Sequence, residues 1–291
     1  MVEMIFVIVI LGIVASIGSG IIAKIYESYI YSRSINTLQT KTEIVLTQIA
    51  KYLSYRIKES TIARKLPPSD TNITSLPMAD GTYQILEWIG YDNESFDGNG
   101  SVPGWSGFVD LSSPNTTKSQ IDSPGSDFNF TAQTIDALSN GDVNLTDINS
   151  SVAIIFAGLP NQFDIEQYGW NDYNGTVKHD YIFRVRNLPG TNILKFVENS
   201  ASTVYEHYQL VWSAYAVVPE GNVSDRNLTF YYNFRPWMGE KYSDGNSSTL
   251  LEHVSTFKFR QIGNTIRLKL CAFDPAGQDF NITFCKEKVV F

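Results

Sequence analysis

Glu3 is the residue near the start of the chain whose chemistry is most constrained, because it stands alone before a long apolar segment. From Met4 to Ala23 there are twenty residues without charge, most of them apolar. A helix of about twenty residues rises about 30 Å, the thickness of the hydrocarbon core of a bilayer. At mid-depth a carboxylate costs about 2.5–3.5 kcal/mol. We therefore expect residues 4–23 to form a transmembrane helix and Glu3 to pair with a cation.

The two cysteines, Cys271 and Cys285, lie close together near the C-terminus. The segment between them is short and polar, as in a disulfide loop of an exported protein. Two free thiols are the alternative. We expect the bridge, which would contribute on the order of 3 kcal/mol through the entropy of loop closure.

Twelve Asn-x-Ser/Thr sequons are spread along the chain, and ten of them have an acidic residue two positions before the asparagine. Acidic residues are only 30 of the 291, so chance would produce far fewer coincidences. The pattern Asp/Glu-x-Asn-x-Ser/Thr resembles the acceptor sequence of the bacterial oligosaccharyltransferase, which requires that acid. We expect these sites to lie in exposed turns and to carry N-glycans: Asn72, Asn99, Asn129, Asn144, Asn149, Asn174, Asn222, Asn227, Asn246 and Asn281.

Two other interpretations of these sites stay open. Asp, Asn and Ser are good turn formers, so the pattern can arise from loops alone. Alternating oxygens also suit calcium, and Asp142–Asp147 is the best such segment, although it lacks the central glycine and the late glutamate of a calcium loop. A structural Ca²⁺ is thus an alternative, and otherwise we expect no cofactor and no metal.

The sequence contains no recognisable catalytic constellation. None of the motifs HExxH, GxSxG, GxxxxGK[ST] and GxGxxG occurs, and the three histidines lie in unrelated contexts. A formal charge of −8 and a pI near 4.9 argue against general nucleic-acid binding. Trp105 and Trp170, if exposed, are candidates to stack on sugar rings, and core packing is the alternative. We therefore expect a protein that is not an enzyme.

A long helix must carry the N-terminal features. Beyond Lys24, apolar residues recur at steps of three and four, and Pro67-Pro68 is the first helix-breaking signal. This predicts one helix over residues 1–66, about 100 Å long, and a head domain over residues 67–291. The stripe that should pack on the head comprises Ile35, Leu38, Thr42, Val45, Ile49, Tyr52 and Tyr55–Ile57, widened by Ile44, Leu46 and Leu53.

The head is predicted to be rich in antiparallel strands, which gives an α+β fold. Residues 67–150 are rich in turn formers and predict loops with one strand, Tyr83–Ile89. The later strands are predicted at Ala153–Ala157, Tyr181–Val185, Val204–Val218, Leu228–Phe234, Val254–Gln261 and Thr265–Ala272.

The last two predicted strands should form a hairpin around Gly263-Asn264. Its register places Phe257 and Phe259 opposite Leu270 and Leu268 on an apolar face. The other face then carries four cations, which form either a solvated surface or a contact for an acidic neighbour: Lys258 opposite Lys269 and Arg260 opposite Arg267.

The segment Val2–Ile5 and the Val-Ile-Leu-Gly-Ile that follows resemble the N-terminal segment of the type IV pilin family, which includes the pseudopilins of type II secretion. The resemblance covers the first 25 residues. In that family the glutamate pairs with the N-terminal amine of a neighbouring subunit. The resemblance implies a structural subunit of a type IV pilus or of a type II secretion filament, assembled through its apolar helix.

Further expectations follow from the same resemblance. The large head, LSYRIKES and FKFRQIGNTIRLKL are similar to larger minor pilins and J-type pseudopilins. The expected partners are other subunits, the inner membrane, the assembly platform, and prepilin peptidase acting on an upstream leader. The head would face the periplasm and then the pilus or cell surface. The alternative is a single-span anchored ectodomain that binds or senses ligands.

Overall fold

The computed structural model describes residues 2–98, 100–159, 164–170, 180–198, 201–275 and 282–291. A long N-terminal helix is followed by a β-rich head, residues 55–291, so the predicted α+β class is confirmed. The helices are α1 (Val2–Ser54), α2 (Asn93–Phe96) and α3 (Phe128–Leu138). The strands are β1 (Ile62–Arg64), β2 (Ile73–Ser75), β3 (Ile85–Gly90), β4 (Gln120–Asp122), β5 (Ala153–Phe156), β6 (Phe183–Asn187), β7 (Ile193–Phe196), β8 (Tyr208–Val211), β9 (Ser213–Asn222), β10 (Asp225–Phe234), β11 (Asn246–Ile262), β12 (Thr265–Phe273) and β13 (Thr283–Val290).

The strands form two antiparallel sheets that enclose two hydrophobic cores. The larger sheet has the order β13-β12-β11-β10-β9-β3-β1-β2, and the smaller sheet has the order β4-β7-β6-β5-β8. Alternate residues of β3 serve the two cores, because side chains alternate across a strand. Leu86 and Trp88 pack towards α1, whereas Ile85 and Ile89 belong to the core shared with the smaller sheet.

Helix α1 ends at Ser54, so the predicted helix over residues 1–66 is too long. The first residues after it join the sheet instead. The backbone N–H of Ile57 donates to the carbonyl of Ile89 at 2.8 Å, and Arg56 forms a bridge with Gly90. The carbonyl of Leu53 in the last helical turn accepts from the backbone N–H of Arg56 at 3.2 Å and from the Arg56 guanidinium at 2.7 Å.

The predicted packing stripe of α1 is largely correct as far as Leu53, whereas its last part, Tyr55–Ile57, lies beyond the end of the helix. Its central residues are buried against the larger sheet, and the hydroxyl of Thr42 is satisfied by the carbonyl of Leu38 at 2.8 Å. Ile44 is the exception, since its side chain is 59% exposed. The buried members are Leu38, Thr42, Val45, Leu46, Ile49 and Leu53.

Each predicted strand has a counterpart in the structure, but five strands were not predicted: β1, β2, β4, β7 and β13. The predicted strand Val204–Val218 is in fact two strands, β8 in the smaller sheet and β9 in the larger one. The predicted loop region 67–150 contains α3, whose first turn is capped by the Asp127 carboxylate at the N–H of Phe130. That aspartate, with buried residues at 128, 131 and 135, is the signal that could have revealed this helix.

Asp92 caps the short helix α2 from a buried position. Its carboxylate accepts hydrogen bonds from the backbone N–H and the hydroxyl of Ser95 and from Trp212. Burial is the main influence on this carboxyl and raises its pKa from 3.8 to about 6, although the hydrogen bonds oppose the shift. The carboxyl group therefore favours the folded state most when it is protonated.

We expect Asp92→Asn to remove one source of pH dependence. The contribution of Asp92 to stability is fully present below pH 3.8 and is lost as the pH rises through about 6. The asparagine variant keeps an acceptor for Ser95. Relative to this variant, the free energy of unfolding of the wild type should fall by about 2 kcal/mol between pH 4 and pH 7. Chemical denaturation of both proteins across that range measures the difference, and parallel curves would contradict the prediction.

Candidate functional site

The first half of α1 is unsupported by the rest of the chain. From Met4 to Tyr31 every large apolar side chain except Ile30 is exposed. The helix Glu3–Ser54 is long and apolar enough to cross a membrane, which makes it compatible with membrane anchoring. Glu3 lies in the first turn, where the helix dipole favours an anion, and within the described residues it has no ion-pair partner.

One side of this exposed segment consists of small residues. Gly12, Ser16, Gly20 and Ala23 follow one another at steps of four and three, so they share a helix face. Apart from the local backbone of α1 itself, no atom of the described chain lies within 4 Å of the position that a Cβ would take at either glycine. Such a face permits close approach of a second helix in a membrane.

The second half of α1 is fastened to the last strand of the head. Glu43 accepts a charge-assisted hydrogen bond from Lys286 and a longer one from Lys288, at 3.4 Å. Lys288 also donates to the hydroxyl of Thr47 at 2.8 Å. Lys286 is the main reason why the pKa of Glu43 lies below its ordinary value. Ion pairing therefore joins the helix to β13 along its solvent edge.

A disulfide joins Cys271 and Cys285, as expected from the sequence. The two residues are direct neighbours across β12 and β13. The bridge therefore holds β13, which carries the two lysines that bind Glu43, beside β12, whose Leu268 and Leu270 belong to the core that packs against α1.

The predicted cationic face is present on β11 and β12. Lys258 pairs with Lys269 and Arg260 with Arg267, in the predicted register. Lys258, Arg260 and Arg267 are exposed. Lys269 has an acidic neighbour, with 3.4 Å between its Nζ and Oε1 of Glu287 on β13. Three exposed cations thus remain on a surface turned away from α1.

The described sequon asparagines are all accessible. Asn99, Asn174 and Asn281 lie outside the described residues. The other seven of the ten are exposed: Asn72, Asn129, Asn144, Asn149, Asn222, Asn227 and Asn246. The expectation that they fall in turns is wrong for some of them, since Asn129 lies in α3 and Asn222, Asn227 and Asn246 lie in strands. Thr131 of the Asn129 sequon is fully buried.

Most of the acids in these sequons already serve the fold. Asp147 accepts from the backbone N–H of Asn149 at 2.7 Å, and Asp142 accepts from the side-chain amide of Asn233 at 3.0 Å. Glu220 accepts from the hydroxyls of Thr229 and Tyr231. The turn-former interpretation is therefore supported at Asp147, whereas Asp142 and Glu220 bind residues of β10. The exposed asparagines are accessible to glycosylation.

The described residues do not bring together a set of calcium ligands around Asp142–Asp147. Within Asp142–Asp147, Asn144 accepts from the N–H and the hydroxyl of Thr146, and Val143 and Leu145 are buried. In the part of the chain that the structure describes, no three His, Cys, Asp or Glu side chains are gathered to hold a metal ion.

Neither tryptophan proposed for sugar stacking is exposed. Trp105 and Trp170 are 3% and 2% exposed, and each indole N–H donates to a backbone carbonyl, of Asp92 and Ser60 respectively. Both are core residues.

An aromatic cleft is the surface feature that the sequence analysis missed. It has a volume of about 340 Å³ and lies where the end of α1 meets β9, β10 and α2. Tyr52, Tyr215, Phe230 and Tyr232 line it, with Gln48 and Glu94 at its rim. The alternation of Phe230 and Tyr232 along β10 was a visible signal, but the partners come from distant segments.

Three comparisons with known proteins add no identification. No protein-family model matches the chain, and neither a curated protein nor a solved structure matches it.

Proposed function

We propose that this chain is a single-span structural subunit that assembles with other subunits into a filament of the type IV pilus or type II secretion class. The observation that carries the proposal is the division of α1. One continuous helix of 53 residues is exposed on all sides in its first half and packed on its own head in its second half. The first half needs an apolar environment that the chain itself does not supply.

The length of the exposed half favours assembly over a simple tether. The hydroxyl of Ser34 donates a hydrogen bond to the Asp274 carboxylate of the head. From Met4 to Ser34, α1 rises about 45 Å. The hydrocarbon core of a bilayer is only about 30 Å thick. Beyond Ala23 the helix still exposes Ile25, Tyr26 and Tyr29 by 60% or more. Tyrosines suit a membrane interface, but side-by-side helices would bury the whole segment, and the small-residue face would let them approach.

The surface charge of the head offers a complementary contact between copies. Between Pro67 and Asp180 the sequence has sixteen acidic and two basic residues. Two of these acids, Glu87 and Asp92, are buried and do not belong to the surface. The cationic face of β11 and β12 would attract such a surface on a neighbouring subunit. The inner membrane, the assembly platform and prepilin peptidase belong to the same proposal, with the head in the periplasm before export and then at the pilus or cell surface. A large minor pilin or J-type pseudopilin is the proposed subtype.

The ten acid-preceded sequons are proposed as glycosylation sites for an oligosaccharyltransferase of bacterial type. The exposure of the seven described asparagines supports this. The buried Thr131 implies that Asn129 would be modified before α3 is packed.

The test replaces Glu3 in the native producing cells. Glu3→Ala should lower recovery of the chain in sheared surface filaments by at least roughly tenfold, because an unpaired neighbour amine in an apolar core costs more than 1.4 kcal/mol. Glu27→Ala is the matched control, since Glu27 is another exposed acid on the same helix. Peptide mass spectrometry of both fractions reports the abundance, the mature N-terminus and any sugar mass at Asn72.

The outcomes separate the two function classes. Loss of Glu3→Ala from filaments, with Glu27→Ala retained, supports assembly. A wild-type chain confined to membranes, or a Glu3→Ala chain recovered like the wild type, would contradict the filament proposal and leave an anchored ectodomain.

A further inference from the structure

The walls of the aromatic cleft are built by rings from two strands and the helix. Tyr215 and Phe230 have ring centroids 5.7 Å apart with planes at 12°, and Phe230 and Tyr232 follow at 6.1 Å and 23°. Tyr52 of α1 lies across them, 4.9 Å from Phe230 and 5.3 Å from Tyr215. The three tyrosines are only half-buried, so their rings present carbon surface to the cleft.

Four polar side-chain groups around these rings have no hydrogen-bond partner among the described residues. In the described chain no hydrogen bond involves the Gln48 amide, the Glu94 carboxylate, or the hydroxyls of Tyr52 and Tyr232. Tyr52 and Glu94 line the same cleft, and burial, followed by the charge of Glu94, raises the pKa of the Tyr52 phenol. Asp92 caps the helix that carries Glu94, so the rim is positioned by a buried residue.

The combination points to one ligand chemistry. A cation would use the rings and the carboxylate, but it would leave the amide N–H and phenol O–H donors unmatched. An apolar side chain would cover the hydroxyls of Tyr52 and Tyr232 without giving them a hydrogen-bond partner. A sugar presents C–H faces to aromatic rings and, around its edge, hydroxyls that both donate and accept.

We propose that this cleft binds a saccharide, with the rings as its platform and with Gln48 and Glu94 as hydrogen-bonding partners of the sugar hydroxyls. The inference does not depend on filament assembly. The sugar has two sources: a glycan on this chain, which would require glycosylation, or an external saccharide.

The sequon at Asn246 is the nearest source. Asn246 is the direct cross-strand partner of Tyr232, and paired residues project on the same face of a sheet. Ser248, which completes the sequon, is the partner of Phe230 and lines the cleft. Asn246 itself is exposed, so a glycan attached there would begin beside the aromatic platform.

The experiment begins with Asn246→Gln, which leaves the cleft empty whichever source is correct. The full chain is made in glycosylating cells and placed in lipid nanodiscs, because maltoside detergents contain sugar. Saturation-transfer NMR then detects binding of maltose, cellobiose, lactose, chitobiose and the oligosaccharides released from glycoproteins of the same cells. We expect at least one of them to bind Asn246→Gln.

Second substitutions in the Asn246→Gln chain locate the binding. Gln48→Ala and Glu94→Gln change exposed residues and should each weaken the affinity about tenfold through a lost hydrogen bond. Gln39→Ala is the matched control, because it is an exposed glutamine on the opposite side of α1 and should bind like its parent. Unchanged affinity in the two cleft variants, or equal weakening by Gln39→Ala, would overturn the proposal.

The wild type then distinguishes the sources. A saccharide that binds Asn246→Gln but not the glycosylated wild type identifies the Asn246 glycan as the occupant. Equal binding to both identifies an external saccharide. No binding of any of these sugars to Asn246→Gln, or binding of tetramethylammonium in their place, would overturn the proposal, whatever the outcome for Glu3→Ala.

Discussion

Replacing Glu87 by alanine is expected to lower the free energy of unfolding by about 3–5 kcal/mol. The side chains of Glu87 and Arg64 are only 1% and 5% exposed, and the Arg64 guanidinium donates from both Nε and Nη2 to the carboxylate. Arg64 also donates to the backbone carbonyl of Asp70 at 2.9 Å, so it cannot easily turn towards water. Without Glu87 the cation stays buried and its lost hydration is no longer offset.

A surface ion pair in the same sheet supplies the control. Glu287 and Lys269 are 48% and 45% exposed, so Glu287→Ala should change stability by less than about 1 kcal/mol. The double replacement Arg64→Met with Glu87→Leu should recover most of the loss, since neither charge then remains buried. Urea denaturation of the four proteins measures the series, and similar losses in the two single variants would contradict the argument.

Local sequence signals predicted the parts of the fold in which chain neighbours pair. The turn at Gly263-Asn264 and the alternation on both sides of it specify the hairpin of β11 and β12, and its register is the predicted one. The spacing of Leu38, Thr42 and Ile49 likewise specifies the packed side of α1. In both cases, side chains close in sequence determine which face is buried.

Long-range pairing explains what the sequence could not show. Residues with helix propensity continue past Ser54, but the helix ends there because the backbone N–H of Ile57 donates to the carbonyl of Ile89 instead of continuing the helical pattern. That partner is known only from the folded sheet. The apolar run Val204–Val218 similarly does not reveal that the chain changes sheet at Trp212. The aromatic cleft was missed for the same reason, because its rings lie at positions 52, 215, 230 and 232.

The parts of the candidate site that depend only on residue type were predicted from the sequence. The exposed apolar segment, Glu3 and the two cysteines could be named from residue types alone, because a lone acid before an uncharged run and a single cysteine pair leave few arrangements. The hydrogen-bonding roles of Asp142 and Glu220 could not, since their partners, Asn233 for Asp142 and Thr229 and Tyr231 for Glu220, lie on β10.

Trp88→Ala is expected to destabilise the contact between α1 and the head by about 3–5 kcal/mol. Trp88 is fully buried in the middle of β3, in the core where the larger sheet receives the packed half of α1. Its ring centroid lies 5.9 Å from that of Tyr215 and 6.2 Å from that of Phe230. Truncation leaves a cavity beneath the helix, and urea denaturation followed by far-ultraviolet circular dichroism should report the loss.

Trp88→Phe separates the ring from its polar atom. The indole N–H of Trp88 is buried with no hydrogen-bond partner in the described chain, so phenylalanine should keep most of the packing and remove an unsatisfied donor. We expect Trp88→Phe to change the free energy of unfolding by less than about 1 kcal/mol. Trp105→Phe should cost more, about 1–3 kcal/mol, because it leaves the buried carbonyl of Asp92 without the 2.8 Å hydrogen bond it now accepts. If Trp88→Phe lowered the free energy of unfolding as much as Trp88→Ala, the prediction that a phenylalanine ring keeps most of the packing would be wrong.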